Sequence, residues 1–261
     1  MFADERKTQI LFLLNQSQSI LVSDLATSLD VSETTIRRDL QDLEEQGLLK
    51  RTHGGAITFQ MASFEPSMVE KADFYAEQKM QIAKQAVAMV KTGDTLLLDS
   101  GTTTLQMARI LPDQNLTIVT NSLPIGTELS RRKNIKLVML GGELRSNTEA
   151  LVGAYCEMIL QNIHVDKVFL GANGIDLFKG VTTPNSAEAS TKRAMIQTGR
   201  QVILVADHSK FGQIHFAKIC DVKDLSCIIT DELPSAEYLS EFTKQNIAVK
   251  PPLSDAWEED G

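Results

Sequence analysis

Several short stretches of this 261-residue chain combine hydroxyls, amides, carboxylates and lysines at spacings suited to holding an anion and a polyol. The densest is Asp99-Ser100-Gly101-Thr102-Thr103-Thr104, set between an apolar run and a helical pattern in "LLLDSGTTTLQMA". At such a junction a glycine lets the backbone approach a ligand. Free N–H groups at the helix start, with the threonine hydroxyls, make an anion cradle. Other apolar runs end in Thr120-Asn121-Ser122, Gly141-Gly142-Glu143 and Gly171-Ala172-Asn173-Gly174. Positive charge is available from Lys192 in "SAEASTKRA", which also carries Glu188, and from Lys210 in "ADHSKFG". Together these groups suit a phosphate joined to a polyhydroxylated body. Each alone has a plainer reading as a capped βα loop, a tight turn or a surface charge. The expectation of a site rests on several loops converging.

A second cluster is basic. The chain has a formal net charge of −8, yet "VSETTIRRDLQDLEEQGLLKRTHGGA" (Val31–Ala56) gathers Arg37, Arg38, Lys50 and Arg51. Phosphate backbones and base edges are read by such groups when they share one face. Residues 1–60 hold six Lys and Arg against nine Asp and Glu, a net of −3, so placement rather than total charge carries that reading. The plainer alternative is a small helical domain whose arginines are solvated or paired with Asp39, Asp42 and Glu45.

The elements that must position these residues follow from periodicity. Ile10, Leu13 and Leu14 have helical spacing, and "VSDLATSLD" reads as a second helix with Ser23 as its cap. A third helix is capped by Ser32 and stopped at Gly47. It stacks Ile36, Leu40 and Leu43 on one face and turns Thr34, Arg37, Arg38 and Gln41 away. A tight turn around Asp30 and Val31 joins the last two helices, which makes a helix-turn-helix. "LLKRTHGGAITF" then reads as a strand, a His53-Gly54-Gly55 turn and a strand: a wing whose Lys50, Arg51 and His53 reach phosphates. Residues 61–78, polar and without period, are expected to link residues 1–60 to a second domain over 79–250, with 251–261 as a tail. In that second domain a helix ending at Gly93 precedes seven β-rich runs alternating with helical ones. The pattern predicts an α/β fold with a mainly parallel sheet covered on both faces, binding its ligand outside the carboxyl ends of the strands.

Composition narrows the classes further. The three cysteines form no metal or disulfide pattern, and His208 and His215 lie seven apart, the wrong spacing for usual metal pairs. Neither a metal nor a cofactor is expected. With no apolar run of about 18 residues, no membrane span is expected, and free thiols suit a cytoplasmic protein.

The segment Val31–Ala56, with its T-I-R-R-D-L core and R-x-H-G-G-A wing, resembles the N-terminal signature of the DeoR family of bacterial transcriptional regulators. "LLLDSGTTT", "VTNS", "VMLGGELR", "FLGANGID", "EASTKRAM" and "VADHSKFG" resemble that family's effector domain. The resemblance implies a winged helix-turn-helix reading operator DNA, with Ser32, Thr34, Thr35, Arg37, Arg38, Gln41, Lys50, Arg51 and His53 as its candidate contacts. It further implies a sensor domain related to ribose-5-phosphate isomerase that binds phosphorylated sugars. There Asp99, Ser100, Gly101, Thr102 and Thr103 would form the phosphate loop, with Asn121, Glu143, Asn173, Glu188, Lys192 and Lys210 around the sugar. The expected protein is a repressor of a carbohydrate-utilisation operon, released by a phosphorylated sugar and acting as a homodimer or higher homo-oligomer. The rival is a sugar-phosphate isomerase with an attached DNA-binding domain. The related isomerases carry D-G-A-D-E after a strand and a catalytic Glu on the next helix. Here the comparable stretch, Gly171-Ala172-Asn173-Gly174-Ile175-Asp176, has no acid in its first five positions, and Thr191-Lys192 stands where the enzymes have Glu-Lys. Binding without turnover is therefore expected.

Overall fold

A computed structural model of the chain describes residues 2–17, 19–46, 48–51, 54–58, 68, 71 and 74–251. The chain divides into two compact units, Met1–Pro66 and Ser67–Gly261.

The first unit contains helices α1 (Ala3–Ser17), α2 (Val22–Ser28) and α3 (Glu33–Glu45) and strands β1 (Ser19–Leu21), β2 (Leu49–Arg51) and β3 (Gly55–Thr58). Its core is Ile10 and Leu14 of α1, Leu25 of α2, and Ile36, Leu40 and Leu43 of α3. α3 starts as its sequence dictates: Ser32 accepts from the Thr35 N–H at 3.2 Å, satisfying one of the donors a helix start leaves open. Asp30, at φ 51, makes the turn between α2 and α3. Ser23 is not the cap of α2. The helix follows β1 directly, and the Val22 N–H donates to the Gly54 carbonyl at 2.9 Å. A tertiary bond to the hairpin does the cap's work, and the Ser23 hydroxyl turns to Asp24 instead. β1 was not evident from sequence. It makes the wing three-stranded and antiparallel, in the order β1-β3-β2. Gly47 and His53 lie outside the described residues.

The second unit opens with α4 (Ala76–Val87), which ends six residues before Gly93; the intervening chain is turns. Then come β4 (Thr95–Leu98), α5 (Thr102–Ile110), β5 (Leu116–Thr120), α6 (Leu123–Leu129) and β6 (Ile135–Met139). A hairpin, β7 (Glu143–Arg145) and β8 (Ala150–Val152), leads into α7 (Ala154–Leu160) and β9 (Val165–Leu170). β10 (Gly174–Asp176), β11 (Gly180–Thr183), α8 (Ser186–Thr198), β12 (Gly199–Val205), β13 (Ala217–Cys220), β14 (Cys227–Ile229), α9 (Ala236–Lys244) and β15 (Ala248–Lys250) complete it. The seven β-rich runs of the sequence form one sheet in the order β15-β14-β12-β9-β4-β5-β6, every pairing parallel. Alternation along each strand feeds two cores. Leu96 and Leu98 face Ile82, Met107 and Ile125 on α4, α5 and α6, while Leu97 faces Cys156, Met195 and Phe242 on α7, α8 and α9. Two antiparallel additions stand outside that sheet: the β7–β8 hairpin and the trio β10-β11-β13. Both occupy stretches that read as loops.

Much of the stretch expected as a linker, and the tail after residue 251, lie outside the described residues. Met68, Lys71 and Phe74–Gln78 are described and belong with the second unit.

Candidate functional site

On α3 the outward residues are free of the core. Thr34, Arg37, Arg38 and Gln41 are exposed, Ser32 is exposed beside them, and Thr35 is half-buried with its hydroxyl 2.9 Å from that of Ser32. Arg37 pairs with Glu33 one turn back (2.8 Å), and Gln41 donates to Glu45 at 3.1 Å. Both contacts are open to solvent and weak. Two further acids of α3 are hydrogen-bonded by α1 instead. Asp39 is buried and held by both sides of the Arg6 guanidinium, at 2.6 and 3.1 Å, and Asp42 takes Lys7 at 2.7 Å. α1 thus absorbs the inner acids of α3. On the wing, Arg51 is exposed and bonded to Glu44 at 2.7 Å; the Lys50 side chain and His53 lie outside the described residues.

The Arg6–Asp39 fork also docks α1 on α3. Arg6→Ala leaves a buried carboxylate without its partner and is expected to lower the stability of the first unit by about 1–2 kcal/mol, less than for a fully interior pair because it lies near the rim. Thermal unfolding of the variant against wild type measures the loss.

The second group of residues meets at the carboxyl edge of the parallel sheet. Asp99, the residue after β4, is fully buried. Its Oδ2 accepts from the Gly171 N–H at 2.9 Å and forms an ion pair with the Lys192 ammonium, which also reaches the Gly171 carbonyl at 3.2 Å. Space at Gly171 is tight: a Cβ there would sit 3.3 Å from that carboxylate oxygen, which would have to give by a few tenths of an ångström. The other oxygen, Oδ1, is buried without a hydrogen-bond partner among the described residues. Burial pushes the Asp99 carboxyl above the ordinary aspartate value, although Lys192 and Gly171 pull the other way.

The turn after Asp99 is closed from within. Thr104 donates to the Asp99 carbonyl (2.6 Å) and the Gly101 carbonyl (3.0 Å), and no side chain caps α5. Gly101 is extended rather than left-handed, and its small size matters because a Cβ would stand 3.3 Å from the Thr104 hydroxyl. Ser100 and Thr102 are half-buried and Thr103 is buried. The Ser100 N–H donates to Asn121 Oδ1 at 3.1 Å, and Asn121 Nδ2 donates to the Leu151 carbonyl at 2.9 Å. Asn121 therefore bridges β4's loop to β8.

Glu188, in the first turn of α8, accepts from the Thr148 hydroxyl (2.7 Å) and the Thr183 hydroxyl (3.3 Å), and pairs with Arg145. Burial opposes its charge, but Lys192, Thr148, Arg145 and Lys71 hold it below the usual glutamate value. Asn173 joins this network through Thr183 at 3.1 Å. Lys210 lies in a 3₁₀ turn, 3.0 Å from the Ser209 hydroxyl and 3.7 Å from buried Asp207. Glu143 is the outlier. It is exposed on β7, and no contact among the described residues ties it to Asp99 or Glu188.

Sequence reasoning passed over Arg145, Thr148 and Asp207. Asp207 carried the signal used for the other loops, a polar residue at the end of an apolar strand. Arg145 and Thr148 carried none, because the hairpin that folds them onto Glu188 was itself unread.

Comparison with known proteins matches the same two units. The profile of the DeoR-like helix-turn-helix domain matches residues 6–61, and that of the DeoR C-terminal sensor domain matches residues 75–232. The HTH-type transcriptional regulator YulB of Bacillus subtilis is 39% identical over 88% of this chain and 90% of its own. A putative aga operon transcriptional repressor of Escherichia coli O157:H7 is 38% identical over 94% and 92%. The regulator GlpR of Haloferax volcanii is 36% identical over 95% and 98%. Among solved structures, ribose 5-phosphate isomerase A of Methanocaldococcus jannaschii overlaps 52% of this chain and 54% of its own at a TM-score of 0.39 and 18% identity. With both profiles matched and full-length relatives well above 30% identity, the chain belongs to the DeoR family of transcriptional regulators.

Proposed function

We propose that this regulator represses a carbohydrate-utilisation operon and leaves its operator when a phosphorylated sugar occupies the carboxyl edge of the parallel sheet. The observation that carries the DNA half is the hydrogen-bonding of Asp39 and Asp42 by Arg6 and Lys7, which leaves Arg37 and Arg38 exposed on an outward face, Arg37 in a solvent-open pair with Glu33 and Arg38 held only by the charge of Asp42 among the described residues. α3 enters the major groove and the wing lies along phosphates, two copies reading a two-fold operator. At the sheet edge, the uncapped start of α5 takes the phosphate, while the buried charges Asp99, Lys192 and Glu188 hold in place the loops that line the hydroxylated body. Binding without turnover is the reading for this pocket. Glu188 already accepts from two hydroxyls and a guanidinium, which makes it a poor proton acceptor.

A thermal-shift screen of sugar phosphates tests the effector half, since a ligand that binds only the folded chain raises its apparent stability. Thr102→Val should weaken the responsive sugar phosphate by roughly 1.5 kcal/mol, about tenfold, through loss of one hydroxyl bond to a charged group. Operator affinity in the absence of ligand should stay unchanged. Full affinity for the sugar phosphate in that variant moves the phosphate elsewhere. Steady conversion of a pentose or hexose phosphate by the purified protein would overturn the sensor reading.

A further inference from the structure

The DNA-reading unit carries more acid than base, and each acid of α3 has a definite partner. Five of the thirteen residues of that helix are acidic: Glu33, Asp39, Asp42, Glu44 and Glu45. Asp39 and Asp42 turn to Arg6 and Lys7 of α1, and Glu45 accepts from Gln41. The remaining two hold arginines expected to touch DNA. Glu33 Oε2 accepts from Arg37 Nη2 at 2.8 Å, one helical turn on. Glu44 takes Arg51 twice: Oε1 accepts from its backbone N–H at 2.9 Å, and Oε2 from its Nε at 2.7 Å. Each carboxylate occupies part of a guanidinium and leaves the rest without a hydrogen bond among the described residues. On Arg37 this includes Nη1; on Arg51 it is both Nη groups. Such N–H groups are the donors that a guanine edge or a phosphate takes up. Both pairs are open to solvent, and contacts of that kind add little to folding.

We propose that Glu33 and Glu44 set the selectivity of DNA binding, acting as positioning residues through Arg37 and Arg51. At the operator, the remaining N–H groups meet their base or phosphate while each carboxylate keeps its bond, so the arginine arrives already posed. On other DNA no acceptor stands where those groups point. A phosphate there engages the guanidinium only by drawing it off its carboxylate, and the carboxylate repels that phosphate. The pair therefore costs little at the operator and opposes binding elsewhere. Phosphate contacts supply most of the affinity for unrelated DNA, so this is the term the carboxylates restrain. Selectivity of this sort rests on repulsion of the wrong partner as well as attraction of the right one. The net charge of −3 over residues 1–60 acts in the same direction. The proposal rests on the reading of α3 and the wing as the face that meets DNA.

The test uses the full chain and two duplexes: the fragment that wild type selects from random DNA, and a scrambled fragment of equal length and composition. Glutamine keeps the length of glutamate and one acceptor oxygen, and removes only the charge. Glu33→Gln and Glu44→Gln are each expected to tighten binding to scrambled DNA about two- to fivefold, the range of an exposed ion pair, without tightening binding to the operator. The operator-to-scrambled ratio then falls by the same factor. Glu5→Gln changes the charge equally at an exposed acid of α1 that makes no ion pair among the described residues, and should leave the ratio at its wild-type value. In an Arg37→Ala background, Glu33→Gln should leave the ratio unchanged as well. A wild-type ratio in either Glu33→Gln or Glu44→Gln overturns the proposal. So does a Glu33→Gln effect that survives in the Arg37→Ala background, because the carboxylate would then act by its own charge. Wild-type operator affinity in Arg37→Ala and Arg51→Ala would instead remove the reading of this face as the DNA contact, a failure told apart by the arginine variants alone.

Discussion

Lys192→Met should lower the stability of the sensor unit by about 3–5 kcal/mol, the cost of removing one partner from a buried ion pair. Methionine keeps the apolar stem of the lysine and removes only its head. Asp99, with no exposure at all, then retains the Gly171 N–H as its sole described donor, and Glu188 loses the strongest of its favourable charges. The deficit has a predicted pH dependence. Burial raises the folded-state value of Asp99 above the ordinary 3.8, so its neutral form is the one that folding favours. A group of that kind contributes most below its unfolded value, and the contribution is lost as pH rises through the folded one. Removing Lys192 raises the folded value further. Denaturant unfolding followed by circular dichroism should therefore show a larger deficit at pH 8 than at pH 5. Adding Asp99→Asn to Lys192→Met should recover part of it. An equal deficit at both pH values would mean that the lysine serves packing alone.

The second large effect is on DNA. Arg37→Ala and Arg38→Ala should each cost roughly 1–3 kcal/mol in operator binding, and the double variant roughly 2–6 kcal/mol if the contacts are independent. Neither residue supports the fold. Both point away from Ile36, Leu40 and Leu43, and the exposed pair of Arg37 with Glu33 adds little to stability. Titration of fluorescent operator at fixed salt gives the number, and unfolding of the same samples shows whether the unit is intact. Wild-type affinity in the double variant would remove α3 as the reading helix.

How much of this was legible depended on the range of the interactions. Each parallel strand is an apolar run with its own boundaries, so "TLLLDS" or "RQVILV" can be read without knowing its neighbours. The helix-turn-helix was legible for the same reason, since Ser32, Ile36, Leu40 and Leu43 state their roles within one helix. What stayed hidden was non-local. The cap of α2 comes from Gly54, and the partners of Asp39 and Asp42 lie 33 and 35 positions away on α1. β10, only three residues long, has no periodicity to read, and it exists because Gly174 and Asp176 pair with Thr182 and Gly180. Asp99 was picked out as part of a turn with a helix start. Its burial, and the pairing with Lys192 across 93 residues, required the fold.

The order of strands in the parallel sheet has a consequence for the newborn chain. β4 lies at the centre, between β5 and β9, and its Leu96 pairs with Lys167, 71 positions later. When β4, β5 and β6 have left the ribosome, one long side of the apolar segment Thr95–Leu98 is still without its neighbour. At about 5–20 residues per second, roughly 4–14 seconds separate the emergence of Leu96 from that of its partner Lys167. In the first unit the described strand pairings all fall between Ser19 and Thr58, so they face no such wait. The DNA-reading half is therefore complete while the sensing half still shows an open, sticky edge. An unpaired apolar edge of that kind is a place where a growing chain can aggregate.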